Sequence, residues 1–542
     1  MIKESDLGIR IPEIMLPEGK INMKKWSVVA CDQFTSQPEY WYDVQKIVGN
    51  APSAYNLILP EAFLNENDRS DRIAKIKSTM KSYVESGVLA QLPRGIALVE
   101  RTIGNKKRKG IMLAIDLDQY DFQPGNKCLI RATEQTVLER IPPRMEVRTG
   151  AILESPHAML LMNDEKDSVI GPLYKKRDTY FKLYGFDLMQ NGGYLNGWFV
   201  DNEQDIQGVL EALGELKETN EMLFAVGDGN HSLVTAKAVW EEAKETLSEE
   251  EQEASPLRYA LVEVVNLYDP GLKFEPIHRV IFNVSPSVCV NELMTIIHKR
   301  GFKAKMIYSR NMPQAEKNVH VLPFITKDTM GRIEIINPEE PLVVGTLQDI
   351  LDEYQKVREN AVVDYIHGAD SFVELSKQYN SIGFRMPGIE KEDLFSLVYK
   401  YGVLPKKCFS MGEAEEKRYY TECRLLVKMQ EEKPQQAEPA EPVEEPVIME
   451  EPVTKEEAVT PTVIEETVVL EETVEAAPVG ETPVVAEEAA TADEPAEADD
   501  LNDLDDLEDL NEEDLLHLDN AKPPKSRKEK KSFLKIRSKT HI

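Results

Sequence analysis

Residues 223–240, Leu-Phe-Ala-Val-Gly-Asp-Gly-Asn-His-Ser-Leu-Val-Thr-Ala-Lys-Ala-Val-Trp, constrain the fold more than any other stretch. Leu223 to Val226 are four apolar residues in a row, the mark of a short buried strand. Leu233, Ala236, Lys237 and Trp240 then recur at helical spacing. Between them stands Gly227-Asp228-Gly229-Asn230-His231-Ser232. A strand that turns through two glycines into a helix gathers backbone N–H groups at one point. The positive end of the helix dipole falls on the same point, so the turn suits a phosphate or carboxylate. Gly227, Gly229, Asn230 and Ser232 are therefore candidate phosphate-binding residues. Asp228 is a candidate catalytic residue and a candidate Mg2+ ligand. His231, of the residue type that titrates near neutral pH, is a candidate acid or base. The same pattern also reads as an ordinary strand–turn–helix connection, with Asp228 as turn former and Ser232 as N-cap.

The rest of the body alternates short apolar runs with amphipathic periods, which predicts an α/β (mixed α+β) fold. Strands are expected at 25–30 and 57–60, and a helix over 73–84. The runs 95–103 and 109–116 read as a hairpin with a basic tip at 104–109. A second hairpin, 181–189 with 194–200, turns on Asn191-Gly-Gly193. A helix is expected over 207–218 and a buried strand over 259–267. Beyond residue 285, helices at 288–299 and 347–359 alternate with strands at 319–325 and 332–336. A boundary near 285 would divide the body into an α/β domain, 1–285, carrying the glycine turn, and a smaller α/β domain, 286–428.

Other polar groups collect beside strands. Arg131, Arg140, Arg144 and Arg148 lie close in sequence. Arginine forks bind phosphate or carboxylate, so Arg131 and Arg148 are candidate ligand contacts. An ion-pair network with Glu134, Glu139 and Glu146 accounts for the same cluster. Glu154 and His157 bracket Pro156 just before the apolar run 159–162. Glu154 is a candidate general acid/base and His157 a candidate ligand contact, although a lone histidine before a strand is more often structural. His278 and Arg279 precede the strand 280–282 and are further candidates. Asp32 and Gln33 follow a strand end, where α/β proteins place ligand contacts, or where they would cap a helix. Lys406, Lys407 and Ser410 add donors that could reach an anion, or are simply surface residues.

The charge is unevenly placed. Residues 431–521 hold 32 acidic residues against two lysines, and 522–542 hold nine basic residues against one acidic. Those segments leave −10 of the total −32 for the body. That balance argues against general nucleic-acid binding by the body. From 429 to 500, Glu, Pro, Val, Thr and Ala dominate, and such a segment cannot bury enough surface to fold. It reads as a disordered acidic linker. Leu501, Leu504, Leu507 and Leu510 recur among acids, so 501–542 reads as an acidic leucine repeat, open to a protein partner, followed by a basic tail. Five scattered cysteines fit a reduced cytoplasmic protein rather than a disulfide scaffold. No apolar run approaches the length of a membrane span.

Six segments in order resemble the family catalogued as domain of unknown function 1015. They are Ile130-Arg-Ala-Thr-Glu134, Glu154-Ser-Pro-His157, Val226-Gly-Asp-Gly-Asn-His-Ser232, Asp269-Pro-Gly271 with Phe274-Glu-Pro-Ile-His-Arg279, Asp364-Tyr-Ile-His-Gly368 and Phe409-Ser-Met-Gly-Glu-Ala414. The central turn also resembles the Asp-Gly-His-His-Arg turn of the ParB/sulfiredoxin-like superfamily, which includes nucleotide-binding ParB domains and free-serine kinases. That resemblance implies ParB/sulfiredoxin-like elements around the turn, a small phosphate-bearing or carboxylate ligand, and Mg2+ and a nucleotide as cofactors. It implies a small-molecule kinase or phosphatase, with serine or phosphoserine the first substrate to try, or else a ParB-like nucleotide-binding regulatory or scaffold protein. Asn230 stands where the first histidine of that turn falls, and Ser232 where its arginine falls. The lost forked donor would have to come from Arg131, Arg148 or Arg279.

Overall fold

Apolar runs with no polar alternation mark strands covered on both faces, and the centre of the main sheet is built from three of them. In the computed structural model, which describes residues 2–428 apart from 36, 137, 139–140 and 312–315, these are Met159–Met162, Phe224–Asp228 and Tyr259–Asn266. Side chains alternate across a strand. Leu160, Met162, Phe224, Val226 and Val264 pack on one face, beneath helices, while Met159, Leu161, Ala225 and Val265 pack on the other. Arg140 and the expected linker and tail, 429–542, lie outside the described residues.

The main sheet runs Phe181–Asp187, Tyr194–Val200, Ile96–Ile103, Lys106–Asp116, Tyr259–Asn266, Met159–Met162, Phe224–Asp228, Ile130–Ala132 and Tyr120–Asp121, with Ile9–Arg10 added beside Lys106–Asp116. Its hairpins are antiparallel, but Met159–Met162 runs parallel to Tyr259–Asn266, and Phe224–Asp228 parallel to Ile130–Ala132. A second, wholly antiparallel six-stranded sheet runs from Lys303–Tyr308 through Met330–Ile336, Val319–Ile325, Ser381–Phe384 and His278–Phe282 to Val362–Ile366. Residues Ile281, Leu322 and Phe384 of this sheet share one core cluster with Met159 and Ala225 of the first. The expected mixed α/β body is what the structure shows.

Helix Glu203–Thr219 starts where the Asn202 side chain accepts from Gln204 N and Asp205 N. It buries Ile206, Val209, Leu210 and Leu213 against the sheet. Helix Arg69–Glu85 buries Ile73, Ile76 and Met80 in a third core cluster, together with Trp26, Trp41 and Tyr420.

Three expectations need correction. Residues 57–60 are not a strand: a 3-10 turn, Ala54–Leu57, forms because Ser53 accepts from Tyr55 N. The stretch 25–30 is a helical turn, Met23–Trp26, capped by Asn22, and only Val28–Val29 is a strand. The basic residues Lys106 to Lys109 belong to a strand rather than to the hairpin tip.

The end of the body is a strap that adds short strands to other parts of the chain. Ser410–Met411 pairs with Phe274–Glu275, Tyr419–Tyr420 with Val28–Val29, and Arg424–Leu425 with Leu153–Glu154. Its charges are buried against carboxylates. Arg418 meets Glu263 at 2.6 Å and pairs also with Glu422, and Arg424 meets Glu154 at 2.6 Å.

Candidate functional site

The Phe224–Asp228 strand brings Asp228 opposite Met159 and turns through Gly229 into helix Asn230–Lys244. Gly229 has φ +76°, and a Cβ there would stand 2.7 Å from Ala158 Cα, so both conformation and space require glycine. The N–H groups of Ser232 and Leu233 donate to Gly229 O, and Gly229 N–H donates to Asp228 Oδ1 at 3.0 Å. Asp228 Oδ2 faces Lys417 Nζ at 3.3 Å, and Lys417 also donates to Ser410 Oγ at 2.8 Å. Gly227 lies under Met411, whose Sδ would stand 2.2 Å from an added Cβ. Asn230 is turned into the framework: it accepts from Tyr120 Oη at 2.9 Å and donates to Glu134 O and Thr136 Oγ1.

Beside this turn lies a cavity of about 130 Å³. The helix start contributes His231, Ser232 and, one turn on, Thr235. Helix Ile141–Arg148 contributes Arg144, Val147 and Arg148, which share a face at i, i+3 and i+4. Its two prolines, Pro142 and Pro143, fall in the first turn, where no intrahelical N–H is needed.

Asp32, His157 and Tyr420 form one connected polar group in the lining. His157 Nδ1 is 2.7 Å from Tyr420 Oη, and its Nε2 is 4.0 Å from Asp32 Oδ2. Cys31 N–H donates to Tyr420 Oη at 3.1 Å, and Gln33 donates to Asp32 Oδ1 at 3.0 Å. Partial burial favours the neutral form of Asp32. His157, the Gln33 hydrogen bond, Lys407 and Lys417 outweigh it and hold the carboxyl below its ordinary range. Burial pushes the Tyr420 phenol well up, reinforced by Cys31. The Cys31 thiol is pushed up by burial and by Glu61 and Asp32. Both therefore stay protonated at neutral pH.

The expected site residues divide. His231, Ser232, Arg148, Glu154 and His157 meet in the cavity, while Gly227, Asp228 and Gly229 form the turn beside it. Glu154 is a locked anion rather than a group placed to exchange protons. Its carboxylate accepts from Leu261 N at 2.9 Å, Arg424 Nε at 2.6 Å and Arg148 at 2.7 Å. Burial raises its pKa, but Arg424, Arg148 and these hydrogen bonds bring it below the ordinary value.

Arg131, expected at the ligand, instead donates to the carbonyls of Cys128 and Glu221 and does not line the cavity. His278 and Arg279 sit in the second sheet, also away from the cavity. His278 Nδ1 accepts from Met386 N at 3.1 Å, and burial, with Arg385 and Arg279, pushes its pKa down to about 3. Arg279 is fully buried and donates to Ile277 O, Gln348 Oε1 and Lys406 O.

The sequence reading assigned no role to Glu61, Tyr420 or Lys417. Glu61 pairs with Arg144 in the cavity lining. The cluster Lys417-Arg-Tyr-Tyr420 was visible as a polar and aromatic run at the end of the body. Its contacts with Asp228 and His157, some 190 and 260 positions away, left no local signal.

No curated protein matches the chain. Among solved structures, a conserved hypothetical protein from Pyrococcus furiosus is 14% identical, covering 57% of this chain and 90% of its own, with a TM-score of 0.31. A free serine kinase variant in complex with AMP is 13% identical, with coverages of 59% and 94% and a TM-score of 0.33. SbnI with a C-terminal truncation, from Staphylococcus aureus, is 8% identical, with coverages of 56% and 82% and a TM-score of 0.30. No helix among the described residues is long and apolar enough to cross a membrane. The family model described as protein of unknown function, DUF1015, matches residues 15–354. Four of the six ordered segments lie inside this match, which spans more than half of the sequence, and the chain belongs to the DUF1015 family.

Proposed function

We propose that this chain is an enzyme of phosphoryl transfer or phosphate-ester hydrolysis on a small metabolite, acting in the cavity beside the Gly227–Ser232 turn. One observation carries the reading. A helix N-terminus, two arginines and an Asp–His–Tyr group converge on a single cavity. The helix start at His231 and Ser232 offers positive potential to a phosphoryl oxygen, and Arg144 and Arg148 stand on the same lining to counter charge that develops on the transferred group.

His157 is the acid/base in this reading. In the tautomer that carries its proton on Nδ1, the ring donates to Tyr420 Oη and leaves the Nε2 lone pair on the side of Asp32. Nε2 takes the proton from the attacking hydroxyl or water, and the Asp32 carboxylate stabilises the imidazolium so formed. Asp228 acts through the turn: tied to Lys417, it sets the position of the helix start. A cavity of about 130 Å³ is near the roughly 150 Å³ that accommodates benzene. It holds a small substrate and not a whole nucleotide, so any nucleotide donor would approach from its mouth.

The residues present do not fit a protein-held Mg2+. Both oxygens of Asp228 already have partners, and no group of three His, Cys, Asp or Glu residues among those described is placed to hold a metal.

The test is a thermal-shift screen of the full chain against serine, phosphoserine, phosphate and nucleotides, with and without Mg2+, followed by phosphate-release and phosphoryl-transfer assays. Ligands that bind only the native state raise its melting temperature. His157→Gln and His231→Ala should abolish turnover while retaining the fold. Wild-type turnover in both variants would reject the assignment.

A further inference from the structure

The lining of the cavity holds two unlike sets of residues. Asp32, His157 and Tyr420, joined to one another, supply one with His231 and Ser232. The other is supplied by Leu57, Leu59, Leu64, Met80, Val147 and Leu153, drawn from the 3-10 turn and its sequel, two helices and a short strand. Apolar lining of this extent is not needed to hold phosphate or serine. Serine carries an ammonium, a carboxylate and a hydroxyl on two carbons beyond its carboxyl. Pressing such charged groups against apolar side chains removes their water without replacing it.

The charges of the lining point the same way. Asp32, Glu61 and Glu154 outnumber Arg144 and Arg148, and each arginine already meets one of those carboxylates. Among the residues of the lining itself, a ligand with a second anionic group would find no surplus of positive side chains to receive it. An uncharged apolar body would find six apolar partners.

Resting on the catalytic reading above, we propose that the substrate of this cavity is an alcohol, or its phosphate monoester, with an apolar body about the size of a benzene ring. The hydroxyl or ester oxygen lies at the Asp32–His157–Tyr420 side, and the body lies against Leu59, Leu64, Met80 and Val147. In the transfer direction the alcohol oxygen forms the bond to phosphorus, its proton passes to His157 Nε2, and the phosphoryl donor's leaving oxygen departs with the bonding pair. In the hydrolytic direction water takes the place of the alcohol as nucleophile, and the alcohol leaves with a proton. Compact polar metabolites such as serine are poor occupants. Each buried methylene strengthens binding about fourfold, so a ring or branched chain outweighs the loss of serine's extra polar contacts.

The experiment is calorimetric titration of the full chain with benzyl phosphate, phosphoserine and inorganic phosphate, repeated with Val147→Thr. That variant keeps the shape of the half-exposed Val147 and replaces one methyl by a hydroxyl. The expected result is benzyl phosphate binding at least tenfold tighter than phosphoserine, with Val147→Thr weakening benzyl phosphate about fourfold and leaving phosphoserine unchanged. Phosphoserine binding as tightly as benzyl phosphate, or a Val147→Thr effect equal for both, would overturn the substrate class while leaving the phosphate site standing. Binding of none of the three would overturn the substrate class and the catalytic reading together.

Discussion

Replacing Glu154 by Gln separates a structural carboxylate from a catalytic one. The side chain is 5% exposed and faces two guanidinium groups, Arg424 at 2.6 Å and Arg148 at 2.7 Å. Removing one partner from a buried ion pair costs about 3–5 kcal/mol, because the remaining charge keeps its desolvation penalty. Arg424 retains the carbonyls of Pro256 and Tyr259, and Arg148 is 15% exposed at the cavity. The lower end, about 3 kcal/mol, therefore applies. Unfolding entropy of about 2.1 cal/mol/K per residue, taken over a body that ends near residue 428, gives roughly 0.9 kcal/mol per degree. Glu154→Gln should thus lower the melting temperature by about 3 °C at pH 7. The folded pKa of Glu154 lies below its unfolded value of about 4.3. Its contribution is present above the unfolded value and is lost as pH falls through the folded one. Scanning calorimetry of both proteins should show a constant gap from pH 8 to 6 that closes in acid. An unchanged melting temperature combined with lost turnover would refute the reasoning and restore Glu154 as the proton carrier. A gap that widens in acid would refute the linkage.

Other perturbations follow from the same contacts. His278 is neutral in the fold down to about pH 3, while an unfolded histidine charges below about 6.5. Stability should therefore rise with pH between those values, and His278→Asn should flatten the urea midpoint between pH 4 and 6. Gly229→Ala combines a φ of +76° with a 2.7 Å approach to Ala158 and should cost about 2 kcal/mol or more by denaturant titration. Gly104→Ala, at φ +55° with open space around it, should cost about 1 kcal/mol. Tyr420→Phe removes the hydroxyl between His157 and Cys31 N–H; it should cost about 1 kcal/mol in stability and slow turnover at least about tenfold, with KM little changed. Arg279→Lys, remote from the cavity, should leave any ligand-induced thermal shift intact; loss of that shift in a folded variant would return Arg279 to the site.

Local physics made much of the fold legible in the sequence. The central strand and helix were visible because apolar runs and a 3.6-residue period need no distant information, and the Asn191–Gly193 hairpin because its turn residues are conformationally selective. The 57–60 error has the opposite cause. Leu57, Ile58 and Leu59 are apolar because they line the third core and the cavity, not because they pair in a sheet. The helix Ile141–Arg148 was hidden by two prolines that a first turn tolerates. In the site, Arg131, Arg148 and Arg279 were indistinguishable by spacing. Two of them feed backbone carbonyls and one reaches the cavity, a distinction set by tertiary geometry alone.

The strap explains why so scattered a site holds together. Asp32, His157, His231 and Tyr420 come from four distant parts of the chain, and the last arrives on a segment with little regular structure of its own. Such a segment would not by itself fix a tyrosine hydroxyl at 2.7 Å from a histidine nitrogen. What fixes it is the row of charges that flanks it. Lys417 is held by Asp228, Arg418 by Glu263 and Glu422, and Arg424 by Glu154. Buried ion pairs contribute little net stability compared with apolar packing, but one that loses its partner is heavily penalised. Only one register of the strap satisfies the three pairs that reach outside it, to Asp228, Glu263 and Glu154. The network therefore selects the position of Tyr420 more than it strengthens the fold. Lys417 and Tyr420 lie three residues apart on the strap, so the strap sets the glycine turn and the acid/base group together, and a shift at one would be felt at the other.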